Sequence, residues 1–404
     1  MTKTDRERQR KAPILRFKGF TDAWEQRKLG TITDTYSGGT PQVSVKDYYS
    51  NNEIPFIRSS DIHKNKTELY ISSKGLENSS AKLVSKGHIL YALYGATSGE
   101  VDVSKIDGAI NQAVLCINAH NDLNYFLMLF LSKNKDKIVR KYIQGGQGNL
   151  SASIVKKIKV FTTSKLEETK ISNLVKILSD IITLYDRKLK LLSQVKKYFL
   201  DNLFAEKEYP NLRFKYFKKD KWEKTSLNSI VTYSNGKAHE KEINNKGNLN
   251  LVMMNSITTG GRLITKKRIL SPQDTLNKND IVIVLSDIAK GELIGKSSVI
   301  PCDNQYVLNQ RIGCLHPTLN IDSFFVSKYI NQKNRYFKSH AAGTSQINLS
   351  KSDVLNCTIY IPKVDEQHYV SNFIINVEKI INFYEYKKRH IIQIKNTLLN
   401  TMFI

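Results

Sequence analysis

Four cysteines in 404 residues, with no Cys-x-x-Cys spacing, leave neither a zinc ribbon nor a disulfide framework to organise this chain. No stretch approaches the roughly 18 uninterrupted apolar residues of a membrane span. The charged start MTKTDRERQRKAP has no apolar segment behind it. A cytoplasmic protein with no membrane partner is therefore expected. Catalytic signatures are missing too. There is no Asn-Pro-Pro-Tyr or Asp-Pro-Pro-Tyr for amino-methyl transfer and no glycine-rich cofactor fingerprint. The eight histidines are scattered without metal-ligand spacing, so an isolated one such as His88 or His316 reads as a structural residue. Gly291-Glu292-Leu293-Ile294-Gly295-Lys296-Ser297 imitates a phosphate-binding loop, but three residues separate its glycines where the motif needs four, and Lys290 stands where a glycine should. No catalytic residue, resident cofactor or metal is expected. Acidic residues are scarce as well: 62 Lys+Arg against 37 Asp+Glu give a net charge of +25. A surplus spread along the chain points to a polyanion, usually nucleic acid.

What is present is a pair of long heptad runs. From Ile171 to Asn202 the a positions are Ile171, Leu178, Tyr185, Leu192 and Phe199, and the d positions Leu174, Ile181, Lys188, Val195 and Asn202. From Val370 to Thr401, a reads Val370, Val377, Tyr384, Ile391, Leu398 and d reads Phe373, Ile380, Lys387, Ile394, Thr401. Eight of ten seam positions are apolar in each run, which predicts coiled-coil helices. Adding 199 to any position of the first run gives its partner in the second, Tyr for Tyr and Lys for Lys.

The globular segments before the helices repeat as well. Residues 1–14 are expected to form a basic, flexible arm, with the fold beginning at Leu15. Leu15-Arg16-Phe17-Lys18 is answered by Leu212-Arg213-Phe214-Lys215, and Trp24-Glu25 by Trp222-Glu223. Tyr36-Ser37-Gly38-Gly39 is matched to Tyr233-Ser234-Asn235-Gly236, Asn111-Gln112 to Asn309-Gln310, Cys116 to Cys314, and Asn149-Leu150-Ser151 to Asn348-Leu349-Ser350. A period near 198 is a duplication of a whole domain with its helix. Short apolar runs at Ile54–Ile57, His88–Leu93 and Ala113–Ile117 predict strands, Asn124–Leu131 a helix, and Ser350-Lys351-Ser352-Asp353 a helix capping box. The frame repeats while the loops diverge, as they would if each half recognised something different. The predicted division is 1–14 arm, 15–164 first domain, 165–205 central helix, 206–363 second domain and 364–404 C-terminal helix.

These residues resemble the specificity subunits of type I restriction-modification systems. The likeness rests on Trp24-Glu25-x-x-Lys28-Leu29-Gly30, Ser37-Gly38-Gly39-Thr40-Pro41, Ile54-Pro55-Phe56-Ile57-Arg58, Gly148-Asn149-Leu150-Ser151 and Tyr185-Asp186-Arg187-Lys188-Leu189-Lys190-Leu191-Leu192. It departs at Thr162-Thr163, which stand where the second half has Ile361-Pro362. The resemblance implies an α+β fold: two similar target-recognition domains separated by two long antiparallel coiled-coil helices that act as a spacer, with internal pseudo-twofold duplication. It implies double-stranded DNA as ligand, two modification (methyltransferase) subunits docked on the helices, and restriction (motor and nuclease) subunits. S-adenosylmethionine, ATP and Mg2+ would sit on those partners, and the chain itself would direct adenine N6-methylation at a bipartite, asymmetric target. The rival readings are a stand-alone DNA-binding regulator, a coiled-coil scaffold with incidental charge, and an autonomous nuclease or methyltransferase.

Candidate DNA-reading positions lie in the loops that interrupt the matched strands. In the first half they are Tyr36, Ser37, Gly38, Gly39, Thr40, Arg58, Ser59, Ser60, Asp61, Tyr94, Thr97, Ser98, Gln144, Gln147 and Asn149. In the second they are Tyr233, Asn235, Lys237, Met254, Asn255, Ser256, Ser286, Lys290, His340, Thr344, Ser345 and Gln346. Arg and Lys suit guanine or phosphate, Asn and Gln suit adenine, and glycine allows close backbone approach. Asn111-Gln112 and Asn309-Gln310 recur in both halves, which favours a structural hydrogen bond or phosphate contact over base reading. Cys116 and Cys314 read as core. Tyr185, Lys188, Tyr384 and Lys387 are spacer or partner positions; the two lysines either set the register of the coiled coil or contact a partner subunit.

Overall fold

The computed structural model describes residues 12–121, 123–143, 149–204, 206–244, 246–270, 274–288 and 291–404. The chain divides into two units, Met1–Asp186 with Tyr386–Ile404, and Arg187–Glu385. Each unit therefore pairs a globular domain with a segment of both long helices, a division that cuts across the predicted element boundaries. The helices run Lys165–Leu203 and Val364–Met402, 39 residues each.

In the first unit an antiparallel sheet is ordered Thr33–Ser37, Val114–Ala119, Ile89–Ala92, Val101–Val103. Alternation along Ile89–Ala92 explains its uninterrupted apolar run. Ile89 and Tyr91 face a core shared with Phe126, Phe130 and Val175, whereas Leu90 and Ala92 face Ile57, Ile110 and Cys116. The second cluster is closed by a five-stranded sheet in which Ile54–Ile57 runs parallel to Gly108–Ile110. The second unit repeats the plan. Val231–Asn235, Ile312–Pro317, Ile281–Val284 and Ser297–Val299 form the same sheet order. Leu249–Val252 pairs in parallel with Tyr306–Leu308, and Ile281 and Ile283 face the helix side while Val282 and Val284 face away. The predicted strands and the helix at Asn124 are all present, the last as Asn124–Lys133, and Ser350 and Asp353 form their capping box.

The repeated Leu-Arg motif is the joint between each domain and its helices. Leu15 N–H donates to the Thr401 carbonyl at 2.9 Å, and Leu212 N–H to the Asn202 carbonyl at 3.0 Å. The Arg16 guanidinium holds the Glu167 carboxylate through two bonds of 2.8 and 2.6 Å, and Arg213 holds Glu366 through bonds of 2.7 and 2.6 Å. A planar fork on a carboxylate fixes direction as well as distance.

The heptad reading needs a correction. Along the middle of both helices the covered positions are a and e; of the d positions there Ile181 alone is half-buried, and Lys188, Val195, Ile380, Lys387 and Ile394 are exposed. Val175, Leu178, Ile182 and Tyr185 are shielded in the first unit, and Leu192, Phe199, Ile374, Val377 and Ile381 in the second. The d residues Val195 and Ile380 stay exposed, as do the g residues Leu191, Tyr198 and Phe383. Because d and e are both largely apolar in each helix, periodicity alone could not choose which of them joins a in the buried pair; packing against the neighbouring helix did. The segments pair antiparallel, since Lys188 meets Tyr384, Lys196 meets Glu378 and Phe199 meets Phe373. Lys188 is exposed instead of seated in the seam: its ammonium donates to the Tyr384 hydroxyl at 2.6 Å and lies 4.0 Å above that ring. Tyr185 is half-buried and Lys387 exposed, as its outward d position requires.

Candidate nucleic-acid interface

The predicted loops of the first unit leave the sheets at one edge. Ile57 is paired with Ile110 and Ala92 with Val114, so Arg58, Leu93 and Asn111 follow one another across that edge. Thr40 joins them through its hydroxyl, which donates to Gln112 Oε1 at 2.7 Å. Gly38 has to be glycine there, because a Cβ would meet the Ile110 carbonyl oxygen at 1.8 Å. Leu150 N–H donates to the Leu93 carbonyl at 2.8 Å, bringing Asn149 beside Tyr94. Arg58–Asp61 is a capped 3₁₀ turn (Ser59–Asp61): buried Asp61 accepts from Arg58 N–H and from Lys64 Nζ, leaving Ser60 and much of Arg58 outside. Tyr94, Thr97 and Ser98 are half-buried, with Ser98 Oγ donating to the Leu93 carbonyl, and Ser37 is exposed. Gln144 and Gln147 lie outside the described residues.

The second unit converges the same way. Asn309 N–H donates to the Val252 carbonyl, Leu285 N–H to Arg311, and Leu349 N–H to Leu285. Met254–Ser256 forms the counterpart turn, where buried Ser256 Oγ accepts from Met253 N–H at 3.0 Å and Asn255 points out. Lys237, Thr344, Ser345 and His340 are exposed; Lys237 reaches Asp274 at 2.5 Å and His340 lies over the Tyr336 ring. Lys290 lies outside the described residues.

Several expected positions turn inward. Asp61, Ser256 and Ser286 are buried at 3, 3 and 1 % exposure and hold loops, not ligand. Ser286 Oγ donates to Asn348 Oδ1 at 2.6 Å and accepts from Gln346 Nε2 at 2.5 Å, locking the paired short strands Ser286–Ile288 and Gln346–Asn348 together. Gly39 is buried against Ser80. The Tyr36–Tyr233 match is also corrected. Cys116 pairs with Tyr36 but Cys314 pairs with Ser234, so Tyr36 corresponds to Ser234 and Gly38 to Gly236. A one-residue slip reverses the faces: Tyr36 packs beside Cys116, and Tyr233 joins the opposite core with Trp222.

The recurring Asn-Gln pairs are structural in this arrangement. Asn111 Oδ1 accepts from Ala113 N–H, Asn309 Oδ1 from His239 N–H, and the Asn309 and Gln310 amides both donate to Glu240. Cys116 and Cys314 are fully buried. Asp280, Cys314 and His316 come together although the sequence showed no ligand spacing. Both His316 nitrogens are occupied, Nδ1 by Asp280 at 2.7 Å and Nε2 by Ser234 at 2.8 Å, and the Asp280 bond raises the imidazole above its usual range. The Gly291–Ser297 stretch leads into strand Ser297–Val299, where a phosphate loop would lead into a helix. Arg311 is the residue sequence reading missed. It is exposed at the converging edge with φ +69°, rare for a non-glycine residue, and its signal was adjacency to the repeated Asn309-Gln310.

One carboxylate near the joint titrates abnormally. Glu168 is 4 % exposed, and burial, then the neighbouring Glu167, push it up to about 7, while Thr163 N–H donating at 2.9 Å opposes this. Its counterpart is Gln367, neutral and bonded at both ends, to Asp322 N–H and the Pro362 carbonyl. A raised folded value means the folded chain holds a proton the unfolded chain releases. Stability is then full below the unfolded value of 4.5 and falls as pH rises toward 7. Glu168→Gln should leave stability unchanged at pH 4 and raise it by up to roughly 3 kcal/mol at pH 8. Denaturant melts of both chains across this range check it; parallel pH profiles would contradict it.

The type I restriction modification DNA specificity domain model matches residues 21–196 and again 219–395. The chain is 23% identical over 406 residues to the type I restriction enzyme MjaVIII specificity subunit of Methanocaldococcus jannaschii, covering 94% of this chain and 92% of that one. It is 25% identical over 207 residues to the EcoR124I/EcoR124II specificity subunit of Escherichia coli, covering 48% and 50%. The crystal structure of the type I restriction-modification S subunit from M. genitalium has the same fold, with TM-score 0.66, 14% identity, and 97% and 99% of the two chains covered. Among the described residues no helix is long and apolar enough to cross a membrane.

Proposed function

We propose the function of this chain from one premise: it belongs to the type I restriction modification DNA specificity family. It acts as the DNA specificity subunit of a restriction-modification complex. Each unit reads one half of a bipartite, asymmetric target through its converging loops. The observation that carries this is the duplication: two domains of one sheet plan that differ in the loops at the same edge. Arg58, Lys237, Asn255 and Arg311 supply donors and charge there, and the surplus of 62 basic over 37 acidic residues suits a phosphate backbone.

Two modification subunits dock on the helices, and the exposed g and d side chains supply the surface. In the second unit Leu191 is 62 %, Tyr198 57 % and Phe383 52 % exposed. An apolar stripe left outside a helix pair is what a partner would cover. S-adenosylmethionine, ATP and Mg2+ belong to those partners and to restriction subunits, and the chain is not itself catalytic. The long helices serve as spacer between the half-sites, and the assembly works in the cytoplasm.

Single-molecule sequencing of adenine methylation, in cells carrying this chain and a modification subunit, tests the reading. The expected result is one motif of two short half-sites around an unread gap, absent when either component is missing. Methylation by the purified chain alone, or a single undivided motif, would overturn it.

A further inference from the structure

In the second unit Asp322 caps the helix Ser323–Gln332 and organises everything around it. Its Oδ1 accepts from Phe325 N–H and from Ser371 Oγ, both at 2.8 Å, and its Oδ2 lies 2.6 Å from His368 Nδ1. The same helix of the first unit, Asn124–Lys133, starts from Leu123 with no side-chain cap. The offset of 199 places Leu123 at the position of Asp322, Phe126 at that of Phe325, Thr169 at that of His368 and Ser172 at that of Ser371. The carboxylate and its histidine are missing there, but the serine and the helix N–H remain. Ser172 is 9 % exposed, and its buried hydroxyl has no hydrogen-bond partner among the described residues. A cavity of about 180 Å³ opens there, lined by Leu123, Tyr125, Thr169, Ser172, Asn173 and Lys176. Lys176 stands where the second unit has Ile375, so a cation has appeared where an anion was lost.

We propose that this cavity is a carboxylate-binding site, filled from outside by a group that takes the place Asp322 fills from within the second unit. The ten-residue helix starts at Leu123 without a side-chain cap, so its first-turn N–H groups and the positive end of its dipole are available to a ligand. Ser172 Oγ donates to the bound oxygen as Ser371 does to Asp322, and Lys176 supplies the counter-charge. The occupant is a carboxylate: either an Asp or Glu side chain of a subunit docked on the helices, or a small carboxylate from solution.

The test follows the Phe126 amide by NMR in the full chain carrying ¹⁵N-phenylalanine, titrated with sodium acetate against sodium chloride at equal ionic strength. A saturable shift with acetate and none with chloride is expected. Ser172→Ala and Lys176→Met should each weaken it several-fold. Leu123→Asp should abolish the response and raise the melting temperature, because it supplies the missing cap. A response identical in chloride, or undiminished in Leu123→Asp, would overturn the site. So would a wild-type chain blind to acetate whose Asp122→Asn variant responds, since the place would then be filled from within. In complex with a modification subunit, an amide already shifted without acetate identifies a partner side chain; one that still answers acetate identifies a small carboxylate.

Discussion

A chain ending at Pro210, assembled with modification subunits, is expected to direct methylation to a symmetric target made of two inverted copies of one half-site. The reason lies in how the first unit is completed. Its core takes Met402 and Phe403 from the C-terminal helix, with the Phe403 ring 5.0 Å from Phe126. The second unit takes Leu203 and Phe204 from the central helix in the same role, with Phe204 5.1 Å from Phe325. Shortening the chain at Pro210 removes Met402 and Phe403 but keeps Leu203 and Phe204, which stand 199 positions earlier. Two shortened copies can therefore complete each other, each lending its Leu203–Phe204 end to the other's domain, an isologous exchange that makes a twofold dimer. Losing that contribution without replacement would cost about 3–5 kcal/mol for the phenylalanine alone, so the unpaired half should not persist. Methylation sequencing decides the outcome. The original asymmetric motif appearing with the shortened chain would sink the idea, and a monomer in sedimentation would sink the exchange.

Glu366→Ala should be the most damaging single substitution at the joints. Glu366 is 2 % exposed, accepts both Arg213 bonds, and takes the Trp222 indole N–H at 3.2 Å. Truncation leaves Arg213, whose side chain is only 6 % exposed, charged and unpaired. Breaking one side of a buried pair costs about 3–5 kcal/mol, which for a unit of this size is roughly 6–20 °C in melting temperature. The double variant Arg213→Met with Glu366→Leu should recover much of the loss, because no charge is left buried. Recovery stays partial, since the Trp222 N–H remains without an acceptor, at about 1–3 kcal/mol. Calorimetry of the three chains checks this. A Glu366→Ala loss below about 1 kcal/mol, the scale of an exposed pair, would show that the fork does not join domain to helix.

The amino-acid order alone determined that this is a duplicated α+β molecule with two long helices. Both signals are periodic and survive loop divergence: a 199-residue offset in the helices and matched Leu-Arg, Trp-Glu and Asn-Gln pairs. It also placed the loops that leave the sheets at one edge of each unit, because strand ends follow from apolar runs broken by Gly, Ser and Asn. Tertiary structure decided the rest. Tyr36 and Tyr233 look equivalent in sequence, yet strand register sends them to opposite faces. Apolar residues at d and e alike left the inward helix face undefined until a neighbour covered a and e. Asp61, Ser256 and Ser286 have the polar character of ligand-reading residues, and only burial shows that they hold turns and loops. The loss of Asp322's counterpart at Leu123 is one substitution among many in a diverged pair. It acquires meaning only because folding brings Ser172 and Lys176 to the same helix end. Local chemistry and periodicity are written along the chain, whereas face, register and partner depend on what packs against each residue.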